Sequence, residues 1–237
     1  MIDSELVKQP PHDYRQRPDG SVPLLLFLHG TGEIGGDRSK QVKTHGPWKR
    51  CVTNPDVEAA LADIYVMGPH LGRGDWDAAQ LLGRLDQFLQ RSPKIDRTRI
   101  WVTGLSLGGL AALMLGLEVI RRTVEAGDAK KVIVPSAIAA FCPSERHFPA
   151  DEIELLSRIP TYFFHAVSDT VSSYAHTIRL SAALGGQAQV RPIRDTELRP
   201  DAREAAHICW PDVYDHPDLY AWFGNPRLTD LFRSLPA

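Results

Sequence analysis

The chain has 237 residues, 43% hydrophobic and 24% charged, with a formal net charge of −2 at pH 7. That balance suffices for a sizeable core, and no half is basic enough to point to nucleic acid. No stretch approaches the roughly 18 apolar residues of a membrane span, and the acidic first residues lack the pattern of a secretory signal. Three widely spaced cysteines, Cys51, Cys142 and Cys209, make no disulfide framework, so a reducing, cytoplasmic compartment is expected.

A polar, breaker-rich lead-in covers residues 1–22. Residues 23–28 are a continuous apolar run, the mark of a strand buried on both faces. A glycine-bearing loop follows over 31–37, and 62–68 read as a second strand stopped by Pro69. Between 79 and 91, Leu81, Leu82, Leu85, Phe88 and Leu89 share one helix face. Residues 98–104 read as a strand, and 107 to about 125 as a helix buried on most sides, with Gly127 as its stop. Short strands are expected at 136–142 and 160–165, then a helix at 174–184. The last strand, 188–193, carries Pro192, which suits an edge or a bulge. One or two helices end the chain, with Leu219, Trp222 and Phe223 on one face. This alternation predicts an α/β architecture: a mostly parallel sheet covered by helices on both faces, in a single domain over 23–237.

Gly104, Ser106 and Gly108 spell Gly-x-Ser-x-Gly between the strand ending at 104 and the helix from 107. A serine held on such a tight turn has its hydroxyl pushed out above the sheet, and the glycines permit close approach of neighbouring chain. A glycine-rich turn with a helix-capping serine reads the same in the pentapeptide alone. A serine hydroxyl needs a base, and the base needs a third group to orient it. On this kind of sheet they follow as serine, acid, histidine, on loops at the carboxyl ends of strands. Asp169 lies just past the strand ending at 165 and fits the acid. Asp195, Glu197 and Asp201 are rivals in a loop of no clear register. Of nine histidines, His207 and His216 follow the last strand, and His207 is the nearer to it. His165 precedes the acid, where its ring would bond neighbouring backbone.

An oxyanion needs fixed N–H donors. Leu107, directly after the serine, supplies one at the start of its helix, and Thr31, in the loop after the first buried strand, supplies the other. Glu33 and Asp37 either organise that loop or are solvated. Trp76 and Trp210, with Trp48 and Phe148, are candidates to line an acyl or aromatic pocket. The sequence has no His-Glu-x-x-His, no close Cys/His cluster and no phosphate-binding glycine loop, so no metal or cofactor is implied.

Residues 24–33 with Gly36 and Asp37, then 96–109, 164–171 and 207–214 together resemble the α/β-hydrolases. The likeness runs from about residue 23 to 223. The His-x-x-Trp-x-x-x-Tyr tail of His207, Trp210 and Tyr214 is similar to small esterases grouped with predicted peptidases, dienelactone-hydrolase-like proteins and polyhydroxybutyrate-depolymerase-like esterases. The resemblance implies Ser106 as nucleophile, Asp169 as acid, His207 as base, and Thr31 and Leu107 as oxyanion donors. Three features depart from it. The antiparallel strands usual at the start are expected to be short or missing, Ala166 stands where glycine is frequent, and a charged stretch over 195–205 precedes the base. The expected activity is cleavage of a small carboxylic ester through an acyl-serine. Alternatives are a peptidase or thioesterase with the same triad, or a binding protein that keeps the fold without turnover.

Overall fold

The computed structural model describes residues 2–37, 44–126, 135–198 and 206–226. Its strands are β1 (Ile2–Gln9), β2 (Val22–Leu28), β3 (Tyr65–Leu71), β4 (Ile95–Leu105), β5 (Ala137–Phe141), β6 (Thr161–Ala166) and β7 (Ala188–Ile193). They form one sheet in the order β1-β3-β2-β4-β5-β6-β7, parallel except for β1.

β2 explains why both faces must be covered. All seven of its residues are buried, and they alternate between two cores. Leu24, Leu26 and Leu28 face a core shared with α3 (Ala78–Gln90) and α4 (Leu107–Ala126), which also takes in Leu156 of α5 (Ala150–Leu156) and Leu180 of α6 (Tyr174–Leu184). Leu25 and Phe27 face the other core, built with α1 (Pro47–Thr53), α2 (Pro55–Leu61), α7 (Trp210–Tyr214) and α8 (Pro217–Gly224). Burying each leucine contributes about 2 kcal/mol, a gain realised only when helices cover both sides.

Two stretches differ from the sequence reading. The lead-in over 1–22 contains β1, so one of the antiparallel strands expected to be short or missing is present, eight residues long. It is an edge strand with four polar or charged residues among its first seven, and its pairing with β3 is a backbone affair that hydrophobic pattern does not announce. β3 also runs on through Pro69 to Leu71. It pairs with β2 only from Tyr65 to Met67, so beyond that point a missing N–H breaks no bond on that side. Pro192 lies in β7, at the opposite edge.

Register sets the site. Leu28 lies beside Gly104, Leu105 beside Phe141, and Phe141 beside Phe164. The ends of β2, β4, β5 and β6 therefore lie at nearly one level, with His29, Ser106 and Cys142 just past the first three and His165 the second-last residue of β6. The approach is closest at the glycines. A Cβ on Gly104 would lie 2.2 Å from the Gly108 carbonyl oxygen, and one on Gly108 2.0 Å from that of Leu28. Backbone would have to move to admit either. Gly108→Ala is expected to lower the unfolding free energy by about 3 kcal/mol, read as a fall in the urea midpoint. Gly83→Ala in α3, where a Cβ meets nothing within 4 Å, is expected to raise it by up to about 1 kcal/mol.

Candidate active site

Ser106 occupies the turn from β4 to α4 with φ of 54°, a region that residues with a side chain rarely adopt. Neighbouring backbone holds it there. Its N–H donates to the Phe141 carbonyl at 2.8 Å, and its own carbonyl accepts from Gly109 at 2.9 Å and from Leu110 and Ser144 at 3.1 Å. With the main chain committed, the hydroxyl is the group left to project.

That hydroxyl lies 2.9 Å from Nε2 of His207, whose Nδ1 lies 2.7 Å from Oδ2 of Asp169. The carboxylate accepts, so Nδ1 carries the proton and Nε2 is left to receive one from Ser106. Asp169 follows β6 and has a fully buried side chain. Its Oδ1 accepts the amides of Val171 at 2.8 Å and Ser172 at 3.0 Å. Burial works against the charged carboxylate, yet His165, His207 and these amides hold its pKa far below the ordinary range. For His207 burial also opposes the charge, and Asp169 overcomes it, lifting the imidazole above 6.5. The Cys142 thiol beside it is pushed up by burial and stays neutral.

The tail pattern explains itself through what it grips. The Trp210 ring stands edge-on to His207, centroids 5.4 Å apart. Tyr214 lies 2.8 Å from the Thr103 hydroxyl, which donates on to the Ala139 carbonyl at 3.0 Å. One side chain thus ties α7 to the strand that carries Ser106. Tyr220 donates to the Tyr214 carbonyl at 2.9 Å, and Cys209, two residues past His207, has its sulfur 3.1 Å from that of Cys142.

The loop after β2 is held with similar care. His29 is wholly buried, and burial holds its pKa down to about 4. Its Nε2 accepts the Leu71 amide at 2.9 Å, so Nδ1 carries the proton and donates to the Gly30 carbonyl at 2.8 Å. In a trans peptide the Thr31 N–H then points the opposite way. Gly30 packs against Ser106, since a Cβ there would lie 3.5 Å from that of the serine. Leu107 opens α4, so its N–H has no carbonyl within the helix to meet.

Trp76 and Trp210, read as pocket residues, both make supporting contacts: the Trp76 indole donates to the His29 carbonyl at 3.1 Å, and the Trp210 ring stands against His207. Trp48 is buried edge-on to Phe27. Phe148 lines a cavity of about 540 Å³ with Arg146, His176 and Arg179, and its lining includes none of Ser106, Asp169 and His207. Among the rival acids, Asp195 accepts from Ser168 and Glu197 from Arg191, while Asp201 lies outside the described residues, as do 199–205 generally. His216 caps α8. Glu33 is buried 3.8 Å from His45, and Asp37 is exposed. Donor atoms of Cys142, His165 and Asp169 lie within 4.8 Å of one another, a spacing that would suit a metal. Each is already engaged, with Cys209, with Thr177 and Ser172, and with His207 respectively.

Sequence reasoning passed over His29, Trp76, Thr103 and Tyr214 as supports. Only the pairing of Tyr214 with His207 in the tail pattern hinted at any of them. Because the folded pKa of His207 is raised, the stability from its charged form is complete below 6.5 and is lost as pH climbs through the higher folded value. The gap in unfolding free energy between wild type and His207→Gln is therefore expected to narrow above pH 6.5 in urea titrations at stepped pH.

Residues 30–142 match the family described as Lipase (class 3). No curated protein matches the sequence. Among solved structures, a thermostable esterase superposes with a TM-score of 0.72 at 22% identity over 92% of this chain, and the chain spans 58% of that protein's length. A thermophilic esterase from Thermogutta terrifontis with propionate bound superposes at 0.53 with 16% identity, over 82% of each chain. Est1E from Butyrivibrio proteoclasticus, with ferulic acid bound, superposes at 0.52 with 12% identity, over 82% of this chain and 89% of that one. The strand order, the serine turn and these superpositions agree on one architecture, and the chain has the α/β-hydrolase fold.

Proposed function

We propose that the protein is a serine esterase that cleaves a small carboxylic ester through an acyl-Ser106 intermediate. The observation that carries this reading is the unbroken row Ser106–His207–Asp169, with contacts of 2.9 and 2.7 Å. Oγ attacks the ester carbonyl while Nε2 of His207 takes its proton. The oxyanion accepts from the N–H groups of Leu107 and Thr31, and the imidazolium is stabilised by Asp169, which stays ionised. His207 then protonates the departing alcohol. Water, deprotonated by the same base, releases the acid and restores the serine. No step calls for a dissociable cofactor.

The solved esterase with propionate and Est1E with ferulic acid support an ester substrate, and the tail of His207, Trp210 and Tyr214 supports a place among the small esterases. Three free, buried cysteines suit a reducing compartment. No helix among the described residues is long and apolar enough to cross a membrane.

Ser106→Ala is expected to slow hydrolysis of p-nitrophenyl butyrate by a factor on the order of 10⁴ or more, and to abolish labelling by a fluorophosphonate. Retention of most of the wild-type rate would overturn the assignment. The base works only when neutral, so kcat/KM is expected to rise with pH about a midpoint above 6.5. Asp169→Asn removes the group that lifts His207 and is expected to bring that midpoint back toward 6.5, with a large loss of rate.

A further inference from the structure

One buried imidazole touches the acid and takes no part in the chemistry just described. His165 is the second-last residue of β6 and has no exposed surface. Its Nε2 lies 3.1 Å from Oδ2 of Asp169 and 3.1 Å from the Ser172 carbonyl oxygen. Both partners are acceptors, so Nε2 carries a proton and presents it to the pair. The other ring nitrogen lies 2.8 Å from the hydroxyl of Thr177, itself wholly buried on α6. The ring is therefore clamped from both sides.

The division of labour on Asp169 follows. Oδ1 is taken by two backbone amides, and Oδ2 is shared by two imidazoles, those of His165 and His207. A carboxylate oxygen that accepts a second donor has its charge partly spent on it and holds the first donor less tightly. We propose that His165 is a positioning residue, whose Nε2–H fixes Oδ2 of Asp169 toward His207 and moderates the carboxylate's hold on that base. The proposal rests on the reading of Ser106, His207 and Asp169 as the catalytic row.

The surroundings leave the carboxylate as the group through which His165 acts. Cys142 at the end of β5 is held neutral by burial. Cys209 lies against Cys142 on the tail, and the Tyr174 ring of α6 stands edge-on to His165 at 5.9 Å. The Glu145 carboxylate, in the loop after β5, is occupied with the Ser173 amide at 2.8 Å.

The test compares His165→Leu with His165→Gln in the full chain. Two readouts are followed: the titration midpoint of the His207 imidazole by proton NMR, and the pH profile of kcat/KM with p-nitrophenyl butyrate. Without the N–H, Asp169 pulls harder on His207. Both midpoints are expected to move up by about one pH unit in the leucine variant, with kcat/KM at pH 7 falling roughly tenfold and KM little changed. The glutamine amide can reach the same oxygen and is expected to restore both midpoints. A leucine variant that is slower or less stable with unmoved midpoints makes His165 merely structural and overturns the proposal. If the leucine variant does not fold, Thr177→Val, of nearly equal volume, frees the ring and is expected to move the His207 midpoint the same way by less; no movement there overturns it too. The NMR midpoint needs no turnover. A His207 midpoint that moves in the leucine variant as described, in a protein whose wild type hydrolyses no ester, refutes the esterase reading while supporting the coupling.

Discussion

The structure depends on one backbone contact more than on any side chain. The carbonyl of Leu28, the peptide at Gly104 and the first turn of α4 at Gly108 meet with no space for a Cβ between them. That contact brings the end of β2 against the end of β4. It also puts Ser106 into a left-handed conformation that its neighbours, Phe141, Gly109, Leu110 and Ser144, then hold by hydrogen bonds. The loop carrying Thr31 and the turn carrying Ser106 are adjacent because the strands before them are packed this closely. A larger residue at either glycine would separate the two halves of the proposed oxyanion site before it disturbed any catalytic group.

Burial of charge is the second constraint. Asp169 has no exposed side-chain surface, and an isolated carboxylate there would be costly to ionise. Two amides and two imidazoles supply four donors, which is why it remains charged. The same carboxylate lifts His207 against the effect of burial. His29 shows the opposite outcome in the same sheet. More deeply buried than His207, and bonded to neutral backbone groups, it is held near 4 by burial and serves to fix a peptide plane. The partner decides what a buried imidazole can do.

The tail adds a mechanical argument. His207 sits on an irregular loop, and regular structure alone does not set its position. Tyr214 on Thr103, Arg50 on Asp215 at 2.8 Å and Tyr220 on the Tyr214 carbonyl bind the closing helices to β4 and α1. Trp210 then limits the ring of His207.

Local chemistry was legible in the residues themselves. The doubly buried run of β2, the serine turn and the helix after it follow from side-chain size and backbone permission over a few neighbouring positions. The chain order serine, acid, histidine singled out Ser106, Asp169 and His207 because parallel strands deliver their loops to one end. Edge strand β1 escaped notice, being mostly polar and joined to the sheet by strand pairing with β3 that no apolar pattern announces. The support given by Trp76 also escaped notice, since an indole bound for a carbonyl 47 residues away looks like any pocket aromatic. The sharing of Asp169 between His165 and His207, like the grip of Tyr214 on Thr103, came into view only with the assembled fold. Such contacts join residues up to 111 positions apart, and a pattern along the chain carries no record of which distant side chains packing will bring within 3 Å.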